Sequence, residues 1–272
     1  MSSGITLTAA VRQNLLSLQS TSDLLAQTQN RLSTGKKVNS ALDNPINYAT
    51  AQGLTNRAND LSNLLDSMSN AVNTIQAANN GITSIIKLVQ SAQSLTSQAL
   101  QTSDTTVRQS LATQFATIRT QIDQLAGDAG FNGINLLNGS NLTVTFNETA
   151  SATVTVSGVT DTTAGAVSVA AAVNNWAVSA DIQTSATALT AALTTLRGQA
   201  QSLGSSLSTV QIRQDFTKAT INTLTTGADA LTLADQNEEG ANMLALQTRQ
   251  QLSITALSLA SQANQAVLRL FG

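Results

Sequence analysis

The sequence predicts a mainly α fold. It is an elongated antiparallel helical bundle or coiled coil with the N- and C-termini paired, plus a small β-hairpin region in the middle. Three observations predict this. Apolar residues recur at seven-residue spacing over most of the 272 residues, the mark of long helices packed along partners. The pattern changes once, near the centre, to a Val- and Thr-rich alternation of the strand type. The segments also mirror each other from the two ends: short helix, boundary, long helix.

The first helix carries Val11, Leu18, Leu25 and Leu32, each seven apart, and Leu15 fills one intermediate position. Ser22 and Gln29 occupy the next two, so the seam reads as partly apolar. "STGKKVNSALDN" interrupts it. Gly35 can end a helix in the left-handed conformation, and Asn44-Pro45 is a restart in which Asn caps and Pro fits the first turn. Pro45 is the one proline of the chain.

The longest repeat follows. Leu54, Leu61, Met68, Ile75, Ile82 and Val89 are seven apart, with Ala58, Leu65, Val72 and Ile86 as companions. Gly81 reads as a weak point. A helix of this span reaches on the order of 70 Å at 1.5 Å per residue. Ser103 or Asp104 caps a third helix through Val107, Leu111, Ile118, Ile122 and Leu125. Asn132-Gly133 and Asn138-Gly139 are turns. "NLTVTF" and "ATVTVSGV" then read as two strands around "NETAS". Asp161 to Asp181, with Trp176, reads as an irregular or short helical return in which the Trp anchors local packing.

Heptads resume after Asp181, through Leu196, Leu203, Val210, Thr217, Leu224 and Leu231. "TLADQNEEGANML" is a second boundary, with Gly240 as the break. The last helix carries Leu252, Ala256, Leu259, Ala263, Val267 and Leu270. The rod core therefore comprises Leu54, Leu61, Leu65, Met68, Val72, Ile75, Ile82, Val89, Leu196, Leu203, Val210 and Leu224. The segments divide into terminal helices (1–43 and 235–272), a helical rod (44–140 and 181–234) and a small β-rich outer segment (141–180).

Composition narrows the function. The chain has no Cys and no His, 10% charged residues, 3% aromatics and a net charge of −2. No basic patch speaks for nucleic acid. No apolar run is long enough to span a membrane, and the N-terminus lacks the pattern of a cleaved secretory signal. Without His or Cys, the acidic cluster Asp235, Glu238 and Glu239 has no partners for catalysis or a metal. It reads as the carboxylate-rich first turn of a helix, and no cofactor is expected. Lys36 and Lys37 are too few for a lipid or nucleic-acid patch and read as solvated linker charges or contacts to a neighbouring subunit. The Asn-x-Ser/Thr triplets at Asn138, Asn141 and Asn147 read as chance; Ser and Thr near the hairpin are the better glycan candidates.

"RLSTGKKVNSALDNPINYATAQGL", "GFNGINLLNG" and "LALQTRQQLSITALSLASQANQAVLRLF" together resemble the bacterial flagellins. "SLGSSLSTVQIRQDFTKATINTL" leans towards the short flagellins of alphaproteobacteria. The resemblance implies a non-enzymatic filament subunit of the flagellum that serves swimming and lies outside the cell. It implies self as the main partner, in a helical homopolymer. It also implies contact with the flagellar type III export apparatus and an export chaperone, with the filament cap and hook-junction proteins, and with sister flagellins. Terminal helices that are disordered in the free subunit would order on assembly. Val11, Leu15, Leu18, Leu25 and Leu32 would then pack with Leu252, Ala256, Leu259, Ala263, Val267 and Leu270, and with neighbouring subunits. The short outer segment implies a smooth filament. Flagellins detected by the innate Toll-like receptor carry an Arg, a Leu and a Glu at set positions. Aligned back from Phe131, Ser91, Leu95 and Gln114 stand there, so strong receptor activation is not expected. The alternatives are a hook–filament junction protein and, from another class, an exported helical adhesin or effector with the hairpin as its tip.

Overall fold

The computed structural model describes residues 9–271. Five α-helices and one hairpin make up the regular structure among the described residues: α1 (Ala9–Thr34), α2 (Pro45–Gln101), α3 (Thr105–Asp128), β1 (Leu142–Thr145), β2 (Thr153–Val156), α4 (Ser179–Thr232) and α5 (Gln236–Phe271). A short turn at Val173–Trp176, with Asn174 and Asn175 at positive φ, precedes α4. The chain divides into two compact units, Met1–Asn56 with Leu224–Gly272, and Arg57–Thr223.

Local chemistry places the helix ends. Gly35 takes φ +70° and its N–H donates to the Arg31 carbonyl at 2.8 Å, which closes α1 in the left-handed manner that glycine permits. Asn44 Oδ1 accepts from the Asn47 N–H at 3.0 Å, and Pro45 opens α2. Asp104, rather than Ser103, caps α3, accepting from the N–H groups of Thr106 and Val107. Asp235 Oδ1 accepts from Asn237 N–H at 2.9 Å and so starts α5. The break between α4 and α5 thus falls at Leu233–Asp235, not at Gly240, which lies inside α5. A cap outweighs an interior glycine, which costs a helix only about 1 kcal/mol.

In the first unit, α1 and α5 pack along each other. Arg31 and Glu239 form an ion pair at 2.9 Å, so the end of α1 meets the start of α5 and the pair is antiparallel. The two inter-helix segments join beside it: Lys37 N–H donates to the Thr232 carbonyl at 2.8 Å and Ala234 N–H to the Gly35 carbonyl at 3.0 Å.

The second unit holds the apolar core, a cluster running from Met68 to Val210. Gln214 donates to Ser69 at 2.8 Å and Gln93 to Thr190 at 3.4 Å. Both bonds step 24 residues along α2 and α4 in opposite directions, so the two helices run antiparallel in constant register. In α3, Leu111, Phe115 and Ile122 point inward, while Val107 is exposed. Buried Arg108 donates to the carbonyls of Ala99, Thr102 and Ala177 and to Ser179 Oγ. It ties the end of α2 to the start of α4 through acceptors that helix termini leave free. The hairpin pairs antiparallel, Leu142 opposite Val156 and Thr145 opposite Thr153. Leu142, Val144, Phe146 and Val156 turn into the core.

Gly81 is no weak point. The helix runs through it, and a Cβ there would lie 2.6 Å from Ala129 Cβ and 2.7 Å from Leu137 Cδ1. The absent side chain is what lets the turn after α3 lie on α2. Gly81→Ala, which in an open helix would stabilise, should here destabilise by about 1–3 kcal/mol through overpacking. Urea unfolding of the monomer checks the sign; a rise in midpoint would show that the loop yields without strain.

Candidate functional site

With the core confined to the second unit, the first has little apolar interior. Its buried apolar side chains, among the described residues, are Val11, Val38, Ala51 and Ala228. Yet of the seventeen large apolar residues the described chain exposes, ten belong to this unit. The α1–α5 pair is therefore where surface and chemistry disagree most.

The seam that joins the pair follows a heptad. On α1 the buried and half-buried positions are Val11, Asn14, Leu18, Thr21, Leu25, Thr28 and Leu32, with Arg31 half-buried beside them. The apolar series is the expected one. Its companions are Asn14, Thr21 and Thr28 instead of Leu15, Ser22 and Gln29, which stand one position later and are exposed. One position is about 100° around a helix. Thr21 is accommodated because its hydroxyl donates to the Ser17 carbonyl at 2.8 Å, the back-bond open to Thr in helices.

On α5 the seam consists of Glu239, Met243, Leu246, Gln250, Ser253, Leu257 and Ala260. Leu252, Ala256 and Leu259 each precede a position of that repeat by one residue, and they and Ala263 are exposed. They do not face α1, contrary to the expected pairing within the chain. Leu252 is 65% and Leu259 62% exposed. Helix α5 thus carries two stripes, of which the pairing with α1 covers the more polar. The side chains of Val267 and Leu270 lie outside the described residues. No residue from Gln250 to Leu268 is charged, so this part of α5 adds no charge of its own to the open stripe. On the α1 side, Leu15, Leu16 and Leu18 line an open groove of about 650 Å³ whose walls also include the charged Arg12 and Asp23 and, from α5, Gln250.

Among the remaining predicted positions, Leu61, Met68, Ile75, Ile82, Val89, Leu196, Leu203 and Val210 are buried. Leu54, Leu65, Val72 and Leu224 are half-buried, and Gln114 is exposed on α3. The acidic cluster is a helix start: Asp235 caps, Glu238 and Glu239 occupy the first turn, and Glu239 is buried against Arg31. Leu42 and Ile46, which the heptad reading passed over, are among the most exposed apolar residues of the first unit. Their signal was their place beside Pro45, in a stretch with no helical period.

The comparisons with known proteins match this architecture at both ends. The family described as bacterial flagellin N-terminal helical region matches residues 5–142, and the bacterial flagellin C-terminal helical region matches residues 186–271. Flagellin FljN of Caulobacter vibrioides is 33% identical over 267 residues, with 94% of each chain covered. A flagellin of Brucella melitensis is 30% identical over 94% of this chain and 95% of its own. The crystal structure of Bacillus cereus flagellin, 19% identical, covers 56% of this chain and 88% of that one with a TM-score of 0.49. Helical regions of one family thus account for both arms of the chain, and the hairpin and return lie between them: the chain belongs to the bacterial flagellin family.

Proposed function

We propose that this protein is the structural subunit of a bacterial flagellar filament and that it self-assembles through the uncovered faces of α1 and α5. The observation that carries the reading is the stripe Leu252, Ala256, Leu259 and Ala263, exposed on a helix stretch without charge. Covering the two leucines in a neighbouring copy contributes about 3–6 kcal/mol per subunit. A contact between different faces of identical copies does not close on itself and grows as a helix. The seam between α1 and α5 contains Asn14, Thr21, Thr28, Gln250 and Ser253. So polar a seam holds two helices weakly in isolation, which supports terminal helices that order on polymerisation.

The same reading has the chain leave the cell unfolded through the flagellar type III apparatus with an export chaperone. No Cys is present to form a disulfide on the way. Its further partners are the filament cap, hook-junction proteins and sister flagellins. No described helix is long and apolar enough to cross a membrane. The test is polymerisation of purified subunit with filament seeds, followed by electron microscopy, beside a chain ending at Leu244. Filaments from the full chain and none from the truncation are expected. Filaments from both would remove the role given to α5.

A further inference from the structure

A cavity of about 210 Å³ in the second unit has no part in the assembly surface. It is lined from α2, the turn after α3, β2, the segment after β2, and α4, and aliphatic and polar side chains share its walls equally. Asp161 sits on it with no exposed surface, and neither of its carboxylate oxygens has a hydrogen-bond partner. Oε1 of Gln199, on α4, is buried in the same condition. Three buried acceptor oxygens without a hydrogen-bond partner thus belong to two side chains that line one cavity. The other polar side chains lining it are hydroxyls, including Ser157, Ser202 and Ser206, and no Lys or Arg reaches it.

A buried carboxylate without a counter-charge costs several kcal/mol, so native structures pair it, protonate it or give it a cation. Burial pushes the Asp161 carboxyl up to about 6, with a partial downward pull from the Gln199 side chain close by. The group thus remains charged in neutral solution, and protonation does not resolve the imbalance there. We propose that the cavity binds an oxygen-ligated divalent cation of the calcium class, held by the Asp161 carboxylate and Gln199 Oε1, with serine hydroxyls and water completing its shell.

The donor set decides the class. Carboxylate, amide carbonyl and hydroxyl oxygens are hard ligands, and the absence of His and Cys leaves nothing for softer metals. Calcium accepts six to eight oxygens in irregular geometry, whereas magnesium demands a near-ideal octahedron. The cavity has room for several waters to fill such a shell. Among the described residues no three metal-ligating acidic side chains come together, so one carboxylate carries the charge. Calcium affinity rises with the number of charged ligands, so a single carboxylate places the dissociation constant at roughly 10⁻⁴–10⁻³ M, the range of extracellular calcium modules. The ion would tie the segment after β2 to α4.

The test uses the full-length chain, freed of metal by chelator, at neutral pH. Thermal unfolding followed by circular dichroism is recorded against CaCl₂, with NaCl at matched ionic strength. The melting temperature should rise by about 2–4 °C at a calcium concentration roughly tenfold above the dissociation constant. Sodium should not reproduce the rise, Asp161→Asn should abolish it, and Gln199→Ala should shift it to higher concentration. No calcium-specific rise in the natural chain would mean that the cavity holds water only. An equal rise in Asp161→Asn would overturn the site as well. Should that variant not fold, calorimetric titration of CaCl₂ into the natural chain and Gln199→Ala decides. Saturable heat weakened by the substitution supports the site, and identical or absent heat ends it.

Discussion

Leu259→Asp and Leu252→Asp should each stop filament growth while leaving the subunit folded. Both side chains are more than 60% exposed in the single chain, so a carboxylate at either place meets water and disturbs no intrachain contact. Surface substitutions of this kind usually change stability by less than about 0.5 kcal/mol. The apolar cluster from Met68 to Val210 is untouched, and the melting temperature of the second unit should not move. In the polymer the same carboxylate would be taken out of water without a partner. The lost apolar burial, about 1.5–3 kcal/mol for a leucine, adds to a desolvation cost of several kcal/mol. At 1.4 kcal/mol per tenfold, the monomer concentration needed for growth should rise by more than about 100-fold. Sedimentation and electron microscopy read this directly. Leu257→Asp is the contrasting variant: Leu257 is half-buried in the seam, so it should weaken α1–α5 pairing itself. Normal filaments from both Leu252→Asp and Leu259→Asp would refute the assembly face.

Those two variants separate faces that the heptads alone do not separate. Helix existence was legible because a seven-residue apolar repeat has one economical explanation. Helix ends were legible where a cap or a special backbone conformation is local chemistry, as at Gly35, Asn44 and Asp104. Rotational phase was not. Helix α5 carries apolar residues on two stripes about 100° apart, and the more apolar one is not the one that meets α1. Burial of Thr21 and Thr28 ahead of Leu15 follows from the geometry of the partner helix, which hydropathy cannot report. Gly81 misled for a related reason: helix propensity describes the backbone, while the close approach of Ala129 and Leu137 is tertiary. The calcium-type cavity was beyond reach altogether. Asp161 and Gln199 are 38 residues apart, and neither lies in a motif.

The return between the hairpin and α4 was the least legible segment, and it supplies the largest expected loss of stability. Asn174, Asn175 and Trp176 all adopt positive φ, at 47°, 50° and 60°. Asn tolerates the left-handed region; Trp there is unfavourable unless its surroundings compel it. The surroundings do: the Trp176 ring is wholly buried, lies 4.9 Å from the Phe115 ring at 45°, and donates from Nε1 to Ser185 Oγ at 3.0 Å. That one side chain joins the strained return to α3 and to the first turns of α4. Trp176→Ala should therefore cost about 3–5 kcal/mol, as large aromatic truncations do. Trp176→Phe keeps a ring against Phe115, loses the hydrogen bond and leaves a smaller gap, and should cost about 1–3 kcal/mol. Trp176→Gly tests the strain: glycine adopts positive φ freely, so its loss should be no larger than that of alanine, reversing the usual order of the two. Urea unfolding of the three monomers, followed by circular dichroism, measures all of this. A loss below 1 kcal/mol for Trp176→Ala would show that the return is held by its backbone alone, and that the ring is a passenger in the core.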